Sequence, residues 1–191
     1  YLRAISKLEE GGPPVTVSAL AGLMGITPPS VTGMIQRLVA DGLVEHTPRA
    51  GVRLSPLGQE MALGIHRRHR LVETFLVEVL GLDWSEVHEE AEALEHHLSE
   101  RVVDALDRYL GCPRVDPHGH VIPSAAGEVI ARNLCPLSTL HAGDEAVIGE
   151  VLSDEPERIR WWKERGLVPG ARLRVIEMSP LDGVWRLQVG K

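Results

Sequence analysis

Residues 15–44, VTVSALAGLMGITPPSVTGMIQRLVADGLV, decide the fold of the first third of the chain. Residues 15–25 read as a short helix closed by a tight turn at Gly25. Residues 26–30 then open a second helix, 31–41, because Thr27 is an N-cap residue type and proline in a first turn gives up no helical hydrogen bond. Val31, Ile35 and Leu38 recur at helical spacing as one apolar face. Ser30, Thr32, Gly33, Gln36 and Arg37 are left facing outward, with Thr27 and Pro29 at the leading end. Small hydroxyls, an amide, a guanidinium and a glycine that permits close approach are the chemistry with which a recognition helix reads the major groove. Asp41 to Glu45 lead into a strand, and residues 47–54 form a hairpin around Ala50-Gly51 whose Arg49 and Arg53 are placed to touch phosphates. The pattern is a winged helix-turn-helix, and double-stranded DNA is the expected partner. A winged helix that only binds protein is the competing reading.

The charge distribution supports a DNA-binding head. Net charge over the 191 residues is −7, yet residues 1–70 hold 8 Lys/Arg against 5 Asp/Glu, a net of +3. Residues 71–191 hold 12 against 22, a net of −10. A basic head on an acidic body suits a DNA module joined to something that collects cations. Eight basic residues bind DNA weakly in one copy, so a homodimer is expected to supply the second half-site. No apolar run reaches the ~18 residues of a membrane span and no signal peptide opens the chain, so a cytoplasmic protein is expected. Because Tyr1 stands where Met would, some native N-terminal sequence is expected ahead of it. Cys112 and Cys135 form no CxxC pair and are expected as reduced thiols.

Residues 66–80 and 84–110 are two long amphipathic stretches, separated by Gly81-Leu82-Asp83 and followed by a Pro/Gly-rich break at 112–123. On the first, His66, His69 and Glu73 share a face that Leu76 and Leu80 continue. On the second, His88, Glu92, Glu95 and His96 span an arc of roughly 100° beside Ala91, Leu98 and Val102. His97 and Glu89 lie off that stripe. Ionisable groups beside a core face are costly without compensation, and two such stripes on antiparallel helices can converge on a divalent cation. A helical di-metal enzyme is the competing reading of this cluster. It needs Glu-x-x-His on two helices, only one stretch approximates that, and the winged helix has no role in it, so the chain is not expected to be an enzyme. A repressor answering to a small organic ligand is a third reading, which leaves the His/Glu stripes unused.

Residues 146–152, 172–176 and 184–189 alternate apolar and polar side chains as half-buried strands do, with Gly143, Gly166, Gly170 and Gly183 at turn points. Several short strands in this space suggest a small barrel. Trp161 and Trp162 are expected to be packing residues. The expected architecture is therefore mainly α with small β parts. It comprises a winged helix-turn-helix at 1–63, a helical metal-binding and dimerisation domain at 64–134, and a β-barrel domain at 135–191.

Residues 23–44, with Leu54-Ser-Pro-Leu-Gly58, resemble the diphtheria toxin repressor family of iron- and manganese-dependent transcriptional regulators. His69-Arg-Leu-Val-Glu73 and His88-Glu-Glu-Ala-Glu-Ala-Leu-Glu-His96 resemble the paired metal-binding helices of those repressors. Leu140-His-Ala-Gly-Asp-Glu and residues 165–175 resemble their C-terminal SH3-like domain, also called the FeoA type. The resemblance implies a metal-activated repressor of metal homeostasis, with His69, Glu73 and His88 in one metal site and Glu92, Glu95 and His96 in another. It implies a further ligand just ahead of Tyr1. The position of Glu92 is usually Cys in the iron-regulated branch and Glu in the manganese-regulated branch, so Mn²⁺ is the expected metal and Fe²⁺ the alternative. The SH3-like domain can lend a carboxylate to the first site, which falls on Glu155, with Asp154 and Glu157 as substitutes; the position of a lent amide falls on Arg158, which cannot ligate. The family can hold an anion on the arginine matching Arg70; here the partner positions are Asp116 and His120, so Arg70 is expected to pair with Asp116.

Overall fold

The computed structural model describes residues 1–12, 14–47, 51–153, 155–179 and 183–190. Two compact units divide the chain: one of Tyr1–Arg67 with Ala125–Gly127, the other of Arg68–Ser124 with Glu128–Lys191.

The first unit begins with α1 (Leu2–Glu10), α2 (Val17–Met24) and α3 (Pro28–Ala40). Thr16 caps α2, its hydroxyl accepting from the Ala19 amide at 3.0 Å, and Gly25 ends it in the left-handed conformation with φ 64°. Helix α3 starts three residues earlier than the apolar periodicity suggests, with both prolines inside its first turn. Strands β1 (Val44–Thr47) and β2 (Gly51–Leu54) pair antiparallel, Glu45 opposite Arg53. Ile5, Leu20, Val31, Ile35 and Val52 are fully buried at the centre of one core. Ser55 starts the long helix α4 (Pro56–Glu78): its hydroxyl accepts from the Gly58 amide at 3.0 Å and donates to the Gly42 carbonyl at 2.6 Å. Gly58 is there because a Cβ would stand 1.9 Å from the Leu43 carbonyl oxygen.

The second unit takes the rest of α4, then α5 (Val87–Glu95) and α6 (Glu100–Tyr109). The stretch 84–110 is thus two helices rather than one. It breaks at residues 96–99, where Ser99 takes the extended conformation of an N-cap. Two apolar clusters hold these helices together: Val72, Leu76, Val87 and Ala91 in one, Leu71, Val103 and Ile122 in the other.

Strand β3 (Glu145–Val147), helix α7 (Pro156–Glu164), β4 (Arg172–Ser179) and β5 (Val184–Val189) form the C-terminal domain, with the strands antiparallel in the order β3-β4-β5. The alternation at 146–152 continues past β3 into irregular backbone, because Ile148 and Val151 turn to the helices instead of the sheet and pack with Trp84 and Ile159. Trp162 joins that cluster, as expected of a packing residue. Trp161 does not: it is half exposed, with the Arg165 guanidinium 3.9 Å above its ring. Among the described residues no helix is long and apolar enough to cross a membrane.

Candidate metal centre and DNA-reading face

Every residue singled out on α3 as a DNA contact is at the surface: Pro29, Ser30, Thr32, Gly33, Gln36 and Arg37 on the helix and Thr27 at its cap. The Thr27 and Ser30 hydroxyls are 2.9 Å apart, and Thr32 donates to the Pro28 carbonyl at 3.0 Å, so the hydroxyls at the helix start are already oriented. Arg53 is exposed on β2. Arg49 lies outside the described residues, as does Asp154.

Helices α4 and α5 bring His69, Glu73 and His88 together. His69 Nε2 is 3.0 Å from Glu73 Oε1 and 3.0 Å from His88 Nδ1, and His88 Nδ1 is 3.1 Å from the same Oε1. Three donor atoms make a nearly equilateral triangle. A cation bound at about 2.1 Å to three neighbouring octahedral positions needs ligand–ligand edges of about 3.0 Å, so the triangle fits one face of an octahedron. His69 Nδ1 is 2.8 Å from Glu95 Oε2, and donation to that carboxylate leaves the Nε2 lone pair aimed into the triangle. Burial pushes the Glu73 carboxyl up, but hydrogen bonds from His118, His69 and His88 more than offset it and hold the group well below the ordinary carboxylate range. Protonated imidazoles and a divalent cation are two ways of meeting the same buried charge.

Glu95 also faces His96, whose Nε2 is 3.6 Å from its second oxygen, so Glu95 touches both predicted ligand groups. Glu92 lies one turn earlier on α5, at the surface, and the His96 side chain is 67% exposed. Glu155 is not gathered into the triangle: it is exposed at the start of α7 and 3.1 Å from Arg158. His66 is turned to Ser6, 3.2 Å away, instead of to Glu73. Arg70 reaches Asp116 at 3.8 Å, as expected, and also the Val121 carbonyl.

Sequence reasoning missed His118. It is buried, with Nδ1 3.6 Å from Glu73 Oε2 and Nε2 2.8 Å from the Trp84 carbonyl. Burial pushes its imidazole down, yet the hydrogen bond and charge of Glu73, with Asp116 and the Trp84 carbonyl, hold it above its ordinary value. The signal was Asp116-Pro-His-Gly-His120, three ligand-type side chains in five residues. Asp116 organises this loop: one oxygen accepts from the His118 and His120 amides at 2.8 and 2.9 Å, and the other lies 3.1 Å from His120 Nδ1.

Family comparisons fit this geometry segment by segment. The iron dependent repressor N-terminal DNA binding domain matches residues 1–52, the metal binding and dimerisation domain of the same repressors matches 55–124, and the FeoA domain matches 135–191. The chain belongs to the iron-dependent, or diphtheria toxin, repressor family. It is 35% identical to the iron-dependent repressor IdeR of Mycobacterium leprae over 96% of this chain and 85% of that protein. Among solved structures it resembles a manganese-dependent transcriptional repressor in complex with manganese, at TM-score 0.93 and 34% identity over 100% of this chain and 88% of the other. It also resembles ScaR with bound Cd²⁺, at TM-score 0.87 and 31% identity over 99% and 88%. The chain is accordingly a metal-dependent, DNA-binding transcriptional repressor that dimerises, and not an enzyme.

Proposed function

We propose that Mn²⁺ is the activating metal of this repressor, with Fe²⁺ second. One binding position is formed by His69, Glu73 and His88 and another by Glu92, Glu95 and His96. The observation that carries this reading is the triangle of two imidazole nitrogens and a carboxylate oxygen with edges of 3.0–3.1 Å. Its support from chemistry is the hardness of the donors: both groups offer only carboxylates and imidazoles, and the two thiols, Cys112 and Cys135, lie exposed elsewhere. Relatives divide on the metal, since IdeR is iron-dependent while the structural neighbour was solved with manganese. Bound metal supplies the positive charge that lets Glu73 stay ionised among neutral imidazoles. The metal-loaded dimer then presents two copies of the α3 face, Thr27, Pro29, Ser30, Thr32, Gly33, Gln36 and Arg37, to half-sites of an operator, with Arg49 and Arg53 on phosphates. Repression of a metal-uptake gene in the cytoplasm is the role this implies.

The experiment is operator binding against free Mn²⁺ and Fe²⁺ under anaerobic conditions, for the wild type and Glu92→Cys. Activation by Mn²⁺, with preference moved away from it by Glu92→Cys, supports the reading. Operator binding that ignores metal overturns it.

A further inference from the structure

Strand β2 is held along both edges, and one of its supports is a side chain. On one edge it pairs with β1, with Glu45 directly opposite Arg53. On the other, Val15 forms a single antiparallel bridge with Val52, whose amide donates to the Val15 carbonyl at 2.8 Å. Two residues further along that second edge, the Leu54 amide donates to Glu9 Oε1 at 3.1 Å. From the last turn of α1, Glu9 thus supplies the acceptor that a longer third strand would supply from its main chain. A carboxylate in a last turn faces the negative end of the helix dipole, so this placement disfavours α1 itself. Its compensation is the tertiary bond to Leu54. Arg53 lies between the two anchored amides, is exposed and, among the described residues, forms no ion pair, although Glu45 stands opposite it. It shares with Glu9, Glu45 and Gln59 the lining of an open cleft of about 410 Å³. The cation is therefore free, while the charge of two acids in the same cleft opposes an approaching phosphate.

We infer that Glu9 is a positioning residue for the DNA contact: through the Leu54 amide it holds β2 so that the free Arg53 cation meets a DNA phosphate. The inference rests on the assignment of Arg53 to phosphates made above. Two effects of the one side chain have opposite signs. As a charge, Glu9 repels phosphate, so deleting it would tighten DNA binding. As an acceptor, it orders the strand that carries Arg53, so deleting it would weaken DNA binding. Hydrogen bonds to an ionised group are the strong kind, whereas the repulsion acts through water and salt, which screen it. The acceptor role therefore prevails. Glutamine separates the two effects, since it keeps an oxygen that accepts and loses the charge.

The test measures binding of the full chain, in excess Mn²⁺, to a mixed-sequence DNA duplex across a salt series. Hydrogen exchange of the Leu54 amide is the structural readout. Glu9→Ala should speed Leu54 exchange, weaken DNA binding on the order of tenfold and make the salt slope shallower by up to about 2, as Arg53→Ala does. Added to Arg53→Ala, it should change affinity little further, a coupling that a general loss of stability would not produce. Glu9→Gln, the conservative variant, should restore slow Leu54 exchange and the wild-type salt slope, with DNA bound somewhat more tightly. Tighter binding by Glu9→Ala, a Glu9→Gln variant as weak as Glu9→Ala, or faster Leu54 exchange with an unchanged salt slope overturns the inference. If instead Arg53→Ala itself leaves the slope unmoved, the phosphate assignment is wrong and the inference falls with it.

Discussion

Gly33 sits inside α3, exposed, with nothing within 4 Å of where a Cβ would be. A glycine in a helix interior costs about 1 kcal/mol relative to alanine, and nothing in the fold requires it here. Gly33→Ala should therefore stabilise the protein by ~0.5–1 kcal/mol in denaturant unfolding while weakening operator binding. A stabilised variant with unchanged DNA affinity would remove Gly33 from the reading face. Glu73 poses the opposite case, a residue whose charge is maintained against burial. Glu73→Gln keeps the shape but deletes that charge and turns one of its two accepting oxygens into a donor. It should lower Mn²⁺ affinity by more than about tenfold, the scale on which even outer partners of metal sites act. Calorimetry showing wild-type affinity would place the cation elsewhere.

Two element ends show what local sequence specifies and what it leaves to distant contacts. Helix α4 begins where Ser55 caps it, and Ser55→Ala leaves the Gly58 amide and the Gly42 carbonyl without their side-chain partner in a buried place. A loss of ~1–2 kcal/mol in denaturant unfolding is expected, and a loss near zero would mean that water replaces the hydroxyl. Ahead of α5, Lys163 and then the Ser85 amide and hydroxyl pull the Asp83 carboxyl down to about 2. A lowered carboxylate contributes stability above its unfolded value, near 4, which is lost as pH falls towards 2. Lys163→Ala should thus cost stability at about neutral pH, with the gap from wild type closing between about pH 4 and pH 2. Both side chains are more than a third exposed, so screening keeps the gap to ~1 kcal/mol or less in pH-dependent unfolding curves. A gap constant with pH would show that the pair does not matter. The Gly25 turn after α2, the Thr27 start of α3 and the shared face of His69 and Glu73 were legible because each is a matter of residues a few positions apart. The break at 96–99 was not, since neither proline nor glycine marks it. Nor could spacing place His118, whose position depends on the Trp84 carbonyl and the Val151 amide, each more than thirty residues away. The short β3 has the same origin, because alternation looks alike whether the inward residues meet a sheet or, as with Ile148 and Val151, a neighbouring helix.

At the scale of the whole molecule, the charge asymmetry limits how DNA can be held. A net of −10 on residues 71–191 repels phosphate, so attraction must come from the head, where Arg37, Arg49 and Arg53 are the cations assigned to the reading surface. In a dimer Arg49 and Arg53, the two placed on phosphates, give about four such contacts, and log affinity should fall with log salt with a slope of about −4. Arg53→Ala removes one contact from each protomer, so its slope should be shallower by about 2, with affinity reduced alike on operator and unrelated DNA. Gln36→Ala should do the reverse, since an amide contributes base recognition without counterion release: the salt slope stays and the preference for operator falls. Titrations of the metal-loaded dimer across a salt series measure both. A slope unmoved by Arg53→Ala would take the wing off the phosphates. An operator preference unmoved by Gln36→Ala would mean that specificity lies in other residues of the α3 face.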